Sequence, residues 1–491
     1  MDDVLGFALM IGGVCVVLLF AVLSNRVSER LNLPAPVIFL VLAALASDLF
    51  PGLAPDSITG VQRVVTVALV IVLFNGGMGI GWKAFRRNAG AIVWLGVAGT
   101  LVTAGALAAA VHWLFGFDWR LALLLGTALS PTDPAVVFSV LGRREIAGRS
   151  GTLLEGESGA NDPVGIALMV ALIASGSASG IGAVWTGATE FALQMGIGAL
   201  AGYIGGRLLL MAMRWLPLPS EALYPIRVLS SAGVIYALAT LAHGSGFLAV
   251  FVAGILVGDE RAPYKREIER FHAVLASLGE IVAFTVLGLT VELKSLLQGN
   301  AWLIGLALAL LLGFVIRPVL VGLVLRPIAL NRSERRFVLW AGLKGAVPIL
   351  LGTYILASDD SHRVEAYDIV FVVVLFSVAV QGGLVPWVAR RLKLPVSIIE
   401  QEPWSLGLRF RDEPEGMHRF SVVHGSAADG TALEELPLGE NVWVSLVGRD
   451  GRLIQVRGDT VLQDGDQVFV LAEPQDAAQA RALFTEVSPP A

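Results

Sequence analysis

Long apolar runs separated by short polar connections dominate the chain as far as residue 393. A membrane-spanning helix needs about 20 mostly apolar residues, and most of these runs meet that length. The thirteen predicted spans are 4–23, 34–50, 62–80, 90–114, 120–141, 153–176, 183–209, 225–243, 246–258, 273–290, 300–323, 337–357 and 367–389. Hydrophobic residues make up 55% of the chain and charged residues 15%. The pattern predicts an all-α polytopic membrane protein embedded in the lipid bilayer.

Basic residues occur in alternate connections. They follow the odd-numbered spans, for example Arg86 and Arg87 after the third and Arg335 and Arg336 after the eleventh, whereas connections such as 358–361 are acidic. Cytoplasmic loops of membrane proteins are enriched in Lys and Arg. The alternation predicts a multi-pass protein of the cell (inner) membrane, with the N-terminus outside and the C-terminal part in the cytoplasm.

The hydrophobic pattern changes after the last predicted span. Runs 442–447 and 467–471 have strand length and are separated by turn-forming residues. From Ser397 onward the chain has 16 acidic and 7 basic residues. We therefore predict a transmembrane domain over 1–393, a linker over 394–404 and a small α+β domain in the cytoplasm over 405–491.

Composition excludes several classes of function. The single cysteine, Cys15, lies in the first apolar run, so no disulfide or cysteine-based metal site forms within one chain. The sequence has no phosphate-binding loop and no nucleophile elbow. Neither half has the basic character of a nucleic-acid-binding protein. We expect no enzyme activity, no cofactor and no nucleic-acid partner, and any transport would be driven by an ion gradient.

The sixth span has carboxylates where a bilayer disfavours them. Its motif ESGANDP covers residues 157–163, and Asp162 lies about 15 Å along a helix that begins near Thr152, which is close to the bilayer midplane. A charge at that depth costs about 2.5–3.5 kcal/mol on insertion scales. We therefore expect an ion or proton site at Asp162.

The fifth span has the motif SPTDP over residues 130–134 near its middle. Two prolines remove backbone donors and predict a broken helix, with Pro134 at the break. Broken helices in membranes line cavities and can hold ions with their free backbone groups. Asp133 lies at nearly the depth of Asp162, so the pair predicts a cation site. The alternative, which is compatible with it, is that Asp133 caps the second half-helix.

Two further patterns concern buried basic residues. Arg317 in the eleventh span and Glu157 in the sixth lie at similar depth near the inner ends, which predicts a mainly structural ion pair. The motif GLKGAVP over residues 342–348 combines glycines, Lys344 and the mid-span Pro348. It predicts a second interrupted helix, as an inverted repeat of spans 4–6 and 11–13 requires.

SPTDP, ESGANDP, GLKGAVP and the thirteen-span layout together resemble the monovalent cation:proton antiporter-1 family. Within it, the chain is similar to bacterial potassium/proton or sodium/proton antiporters that have a cytoplasmic regulatory domain. The segment from about Leu406 to Phe484 resembles a TrkA-C domain, the C-terminal half of a potassium-conductance-regulating domain.

The resemblance implies a role for each motif residue. Asp162 would carry the cation and the proton in turn, and Asp133, Thr132 and Ser158 would line the cation site, with Asn161 beside Asp162. An Asn before that Asp is typical of electroneutral members. Members are usually homodimers. Two departures from the family pattern are Asn75, where an acidic residue is frequent, and Lys344, where Arg is frequent.

The expected function is exchange of a monovalent cation, K⁺ before Na⁺, for H⁺ by alternating access, with competitive occupancy of Asp162. A gated cation channel with a ligand-sensing cytoplasmic domain is the alternative, although no TVGYG-like filter is present in the sequence. A receptor that binds an ion without transporting it is a third class. The tail is expected to bind a nucleotide or cyclic dinucleotide, or else only to stabilise a dimer.

Overall fold

A computed structural model describes residues 34–141, 149–175, 181–260, 262–394, 417–439, 442–449, 452–472 and 476–485. It also describes the backbone of residues 144–146 and 396–398 and three isolated positions, 8, 12 and 19. Apart from those three positions, the first predicted span lies outside the described residues, as does Cys15. The chain forms two compact units, Met1–Ser405 and Leu406–Ala491.

The larger unit is a helical bundle, and we number its helices α1 to α16. In chain order they are α1 Ala35–Leu49, α2 Ile58–Trp94, α3 Thr100–Phe115, α4 Trp119–Ala128, α5 Ala135–Leu141, α6 Arg149–Ala174, α7 Ile181–Trp215, α8 Leu223–Leu241, α9 Gly246–Gly258, α10 Lys265–Gly288, α11 Leu293–Gln298, α12 Ala301–Val324, α13 Arg332–Trp340, α14 Ala346–Leu356, α15 Arg363–Gly382 and α16 Val385–Arg391.

Helices long and apolar enough to cross a bilayer confirm a membrane protein, but not the predicted count of thirteen spans. Among the described residues, six helical stretches meet that length, the longest being Ile58–Phe115, and four shorter apolar helices accompany them. The third and fourth predicted spans are parts of that one stretch, in which α2 runs through a π-helical turn at Leu95–Gly99 into α3. The number thirteen stays a prediction.

Gly81 marks the place where the connection between those two spans was expected. Its φ of 69° and ψ of 162° are not helical, so α2 consists of two helical halves that meet at a kink at Gly81. The Asp259 carboxylate lies against Gly81 and accepts a hydrogen bond from the Lys83 backbone N–H. A side-chain acceptor thus satisfies a donor that the kink leaves free, as at a helix N-terminus, and the basic segment after it stays helical.

The core of the bundle is apolar and centres on α2. Helices α9 and α10 pack against α2, α9 also packs against α7, and α6 contacts both α2 and α4. Small residues permit these close approaches, because a Cβ at Gly254 would overlap the backbone carbonyl of Phe74 in α2. The unit also contains a two-stranded antiparallel sheet, in which β1, Arg144–Ile146, pairs with β2, Val396–Ile398, with residue 145 opposite 397.

The smaller unit is an α+β domain. Its strands are β3 Met417–Ser421, β4 Val442–Arg449, β5 Arg452–Ile454 and β6 Gln467–Ala472, in the antiparallel order β3-β6-β4-β5. Helix α17, Ala477–Thr485, places Phe484 in the core of this domain. Residues 399–404 of the predicted linker lie outside the described residues.

Candidate functional site

Two interrupted helices cross in the bundle. Helix α4 ends at Ala128 and α5 begins at Ala135, while α13 ends at Trp340 and α14 begins at Ala346. The Asp133 backbone N–H donates to the Leu343 carbonyl over 2.8 Å, which joins the two non-helical segments. Both breaks lie in the motifs singled out from the sequence, so Pro134, Lys344 and Pro348 all lie at or beside a break.

The Asp133 carboxylate caps the second half of its own helix. Its Oδ1 accepts a hydrogen bond of 2.9 Å from the Ala135 backbone N–H, an interaction that satisfies a donor at a helix N-terminus. The other motif packs directly on it, since a Cβ at Gly345 would overlap the Asp133 carboxylate. Glycine at 345 is therefore required by the close approach of the two segments.

Lys344 satisfies the free carbonyls of the first broken helix. The side chain is fully buried, and its Nζ donates to the carbonyls of Ser130 over 3.0 Å and Pro131 over 2.9 Å. Its backbone N–H donates to Ser377 Oγ over 3.1 Å. A cation at the carbonyl end of a helix is electrostatically favourable, so Lys344 stabilises the non-helical segment between α4 and α5.

Asn161 ties α6 to the same break. Its Nδ2 donates to Thr132 Oγ1 over 2.7 Å, and its Oδ1 accepts from the Thr132 backbone N–H over 3.3 Å. Both residues are buried. This two-point contact fixes the Thr132 hydroxyl beside Asp133 and sets the position of α6 against the unwound segment.

A cavity of about 240 Å³ contains the two carboxylates. Asp133, Ser158 and Asp162 line it, while Thr132 and Asn161 are buried outside its lining. Asp162 is only 7% exposed, and within the described part of the chain its carboxylate has no hydrogen-bond partner. Carboxylate and hydroxyl oxygens are hard ligands that suit alkali cations. The arrangement can bind either a cation or a proton in a site with limited access to water.

Pro163 leaves a backbone carbonyl of α6 without its helical donor beside this cavity. Proline has no N–H, so the Gly159 carbonyl, four residues earlier in α6, lacks its ordinary α-helical donor. Gly159 also lines the cavity. A Cβ at that position would overlap the Phe251 ring, so the glycine allows α9 to close on this wall.

The structure brings Arg317 and Glu157 together. Arg317 Nη2 lies 3.1 Å from Glu157 Oε1, and both side chains are buried. The guanidinium also donates to the carbonyls of Leu339 over 3.1 Å and Val338 over 3.3 Å, at the end of α13. Arg317 thus donates to carbonyls at the break of the second interrupted helix, as Lys344 does at the break of the first. It lies in a π-helical stretch, Leu312–Val321, just before Pro318.

Three polar residues in the cavity lining, Asn75, Glu155 and Glu280, were not assigned to the site from the sequence. Asn75 on α2 and Glu280 on α10 line the same cavity as Asp133 and Asp162. In the sequence, Glu280 is visible as a carboxylate within an apolar span. The residues of other helices that line the cavity with it are revealed only by the helix packing. A second cavity of about 440 Å³ includes Asp368 and Glu292.

Comparison with known proteins gives the class to which this fold and site belong. The family profile described as sodium/hydrogen exchanger, transmembrane, matches residues 15–391, and the TrkA-C domain profile matches residues 417–485. The chain belongs to the sodium/hydrogen exchanger family, and it is a cation/proton antiporter with a C-terminal TrkA-C domain. Both parts of the expected family resemblance are confirmed, and membership favours the antiporter over the channel.

Curated relatives match almost the whole chain. The K(+)/H(+) antiporter NhaP of Alkalimonas amylolytica is 36% identical over 96% of this chain and 83% of its own length. The K(+)/H(+) antiporter NhaP2 of Shewanella oneidensis is 31% identical over 95% of this chain and 81% of its own.

Solved structures share the fold. The sodium proton antiporter MjNhaP1 from Methanocaldococcus jannaschii, at pH 8, superposes with a TM-score of 0.65 at 21% identity. The match covers 77% of this chain and 99% of that one. The likeness confirms the helical antiporter fold of the larger unit.

Proposed function

We propose that this antiporter exchanges K⁺, and less readily Na⁺, for H⁺ in a one-to-one, electroneutral cycle. The observation that carries the proposal is the cavity lined by both Asp133 and Asp162, where two interrupted helices meet. The relatives at 36% and 31% identity are K(+)/H(+) antiporters, which favours K⁺. The fold neighbour is a sodium proton antiporter, which keeps Na⁺ as a second substrate.

In this proposal Asp162 is the shared carrier. An isolated carboxylate that is 7% exposed is stabilised by either a bound proton or a dehydrated cation, and one occupant excludes the other. Asp133 and Ser158, which line the cavity with it, supply the other cation ligands, and Thr132 lies outside the lining next to Asp133. Asn161 positions Thr132 through its two hydrogen bonds. Exclusive occupancy, combined with access from alternate sides, produces exchange.

The pair Glu157–Arg317 and the side chain of Lys344 have structural roles in the proposal. Glu157 Oε1 contacts the Arg317 guanidinium, and the guanidinium and the Lys344 ammonium donate to helix-end carbonyls, whereas Glu157 Oε2 has no hydrogen-bond partner within the described residues. Buried charges of this kind are retained when they are paired and hydrogen-bonded. They hold the two broken helices so that Asp133 faces Asp162.

We further propose the cytoplasmic side for the TrkA-C domain and the outside for the N-terminus, since basic connections alternate along the chain. A homodimer is the proposed assembly. The described surface includes large apolar side chains on α7, such as Leu200 and Leu208, each more than half exposed; these fit lipid or a second copy.

Regulation by the TrkA-C domain is the last part of the proposal. The strand pair β1–β2 supports it, because β2 lies just before residues 399–416 that lead to the domain, and β1 lies between α5 and α6. Helix α5 follows Asp133 in the chain, and helix α6 contains Asp162. A change at the domain, on binding a nucleotide or cyclic dinucleotide, would reach the ion site through this ladder.

Everted vesicles with a pH-sensitive dye test the substrate and the mechanism together. KCl and NaCl series at several pH values should give a lower apparent KM for K⁺, a KM that rises as pH falls, and an unchanged Vmax. For one proton competing with one cation the rise approaches about tenfold per pH unit where the protonated form dominates. A KM independent of pH would contradict competition, and a steady current under voltage would contradict electroneutral exchange.

A further inference from the structure

The wall of the ion cavity that α10 supplies contains one polar residue. Positions on one face of a helix recur every three or four residues, and α10 presents to the cavity Ala276, Glu280, Ala283 and Phe284. Glu280 therefore faces the same space as Asp133 and Asp162, from a helix that bears neither.

The packing of α10 on α2 fixes this orientation. A Cβ at Gly279 would lie 3.2 Å from the Ala68 carbonyl oxygen, which is tighter than ordinary contact, so the two helices approach closely at the residue before Glu280. The same face of α2 continues to Asn75, which also lines the cavity. The wall formed by α2 and α10 therefore combines a neutral amide with a carboxylate.

Glu280 lies well inside its span. It is about 22 Å from Lys265 and about 12 Å from Gly288 along the helix, at 1.5 Å per residue. A carboxylate at such depth is retained where it faces a water-filled cavity, a partner or an ion path. Within the described part of the chain, the Glu280 carboxylate has no hydrogen bond and no ion pair.

The ionisable side chains that line the cavity are all acidic. Its lining includes Asp133, Glu155, Asp162 and Glu280 but no Lys or Arg. The nearby ammonium of Lys344 is bound to two carbonyls. Carboxylates in a cleft with low-dielectric walls raise the local concentration of cations.

Glu280 does not complete a single coordination shell with the two aspartates. Among the described residues no group of three or more His, Cys, Asp or Glu side chains is arranged to hold one ion. Its effect is therefore on a cation that still has part of its water, before or after that cation reaches Asp162.

We propose that Glu280 is a cation-binding residue of the transport cavity, a third carboxylate that attracts and holds the monovalent cation on its way to Asp162. Because Asn75 is neutral, Glu280 supplies the negative charge on the wall formed by α2 and α10. The inference rests on the proposed roles of Asp162 and Asp133, and it makes Glu280 a determinant of apparent cation affinity.

The test uses the full-length protein in proteoliposomes, with apparent KM for K⁺ and Vmax measured separately. Glu280→Gln should raise the KM about three- to tenfold with Vmax largely retained, as loss of one charge facing a hydrated cation predicts. Glu280→Asp should stay near wild type. Glu292→Gln, the same chemical change just beyond the end of α10, is the matched control and should leave the KM unchanged.

Moving the carboxylate from position 280 to position 75 distinguishes a role in cation binding from a role in the structure of the protein. Asn75→Glu combined with Glu280→Gln should return the KM toward the wild-type value. An unchanged KM in Glu280→Gln would overturn the inference, and so would a lower Vmax that Asn75→Glu does not rescue. If Glu280→Gln does not fold, the single variant Asn75→Glu is the test. A lower KM for K⁺ supports the role of carboxylates on this cavity wall, and an unchanged KM overturns the inference. Activity in Asp162→Asn would overturn the proposed carrier instead.

Discussion

The side-chain amide of Asn161 donates to the hydroxyl of Thr132 over 2.7 Å, while its carbonyl oxygen accepts from the Thr132 backbone N–H. The residue before the proposed carrier on α6 thus holds the residue before Asp133 in the unwound segment. Neither carboxylate takes part in this contact, which acts together with the hydrogen bonds of Asp133 to Leu343 and Ala135. Part of the geometry at the site therefore depends on an uncharged pair.

Removing this contact should weaken cation binding. Asn161→Ala leaves two buried groups of Thr132 without partners, which costs about 1–3 kcal/mol, and Thr132 loses its fixed orientation. We expect the apparent KM for K⁺ to rise by about tenfold or more, measured in proteoliposomes. The control is the double variant with Thr132→Ala: its effect should be well below the product of the two single effects, and independent effects would contradict the coupling.

The pair Glu157–Arg317 should matter for stability. Breaking a buried ion pair by removing one partner costs about 3–5 kcal/mol, so Glu157→Gln should markedly lower the unfolding temperature in detergent. Glu260→Gln breaks the more exposed pair with Arg214 and should cost at most about 1 kcal/mol. Equal losses in the two variants would contradict the structural role assigned to the buried pair.

Gly345 is required by contact with Asp133. A methyl group there would overlap the carboxylate, so Gly345→Ala should displace Asp133 and reduce exchange at least tenfold while the protein still inserts and folds. Gly233→Ala is the matched control, since a Cβ at Gly233 in α8 meets nothing within 4 Å. Wild-type exchange in Gly345→Ala, measured in the same vesicles, would show that the crossing is looser than the structure indicates.

The ladder β1–β2 offers a test of regulation. Proline lacks the N–H needed in a strand, so Ser397→Pro should disrupt the pairing and give the activity of a chain truncated after about residue 400. Ser397→Ala keeps the backbone donor and should behave like wild type. If Ser397→Pro keeps full regulation while truncation abolishes it, the signal does not pass through this ladder.

The sequence was most informative where residues conflict with the bilayer. Asp133, Asp162, Arg317 and the prolines of two spans stand out because charges and missing backbone donors are costly in lipid, and that cost is independent of the fold. The packing partners were not accessible in this way. Lys344 and Ser130 are far apart in sequence, and only the crossing of the broken helices brings them together.

The count of spans shows a second limit. The basic residues after Gly81 predicted a loop between two spans; the structure instead has a sharp kink at Gly81 with helix on both sides, where the Asp259 carboxylate accepts from the Lys83 N–H. That partner lies at the end of α9, so no local pattern could reveal it. The neutral Asn75 and the acidic Glu280 likewise became neighbours only through the packing of α10 on α2.

The most direct test of the account is exchange by Asp162→Asn in proteoliposomes, followed with an internal pH dye and imposed K⁺ and Na⁺ gradients. Asp368→Asn, which removes a buried carboxylate from the other cavity, serves as the matched control. We predict no cation-driven proton movement in Asp162→Asn at any pH and normal exchange in the control. Wild-type exchange in Asp162→Asn would contradict the shared-carrier mechanism.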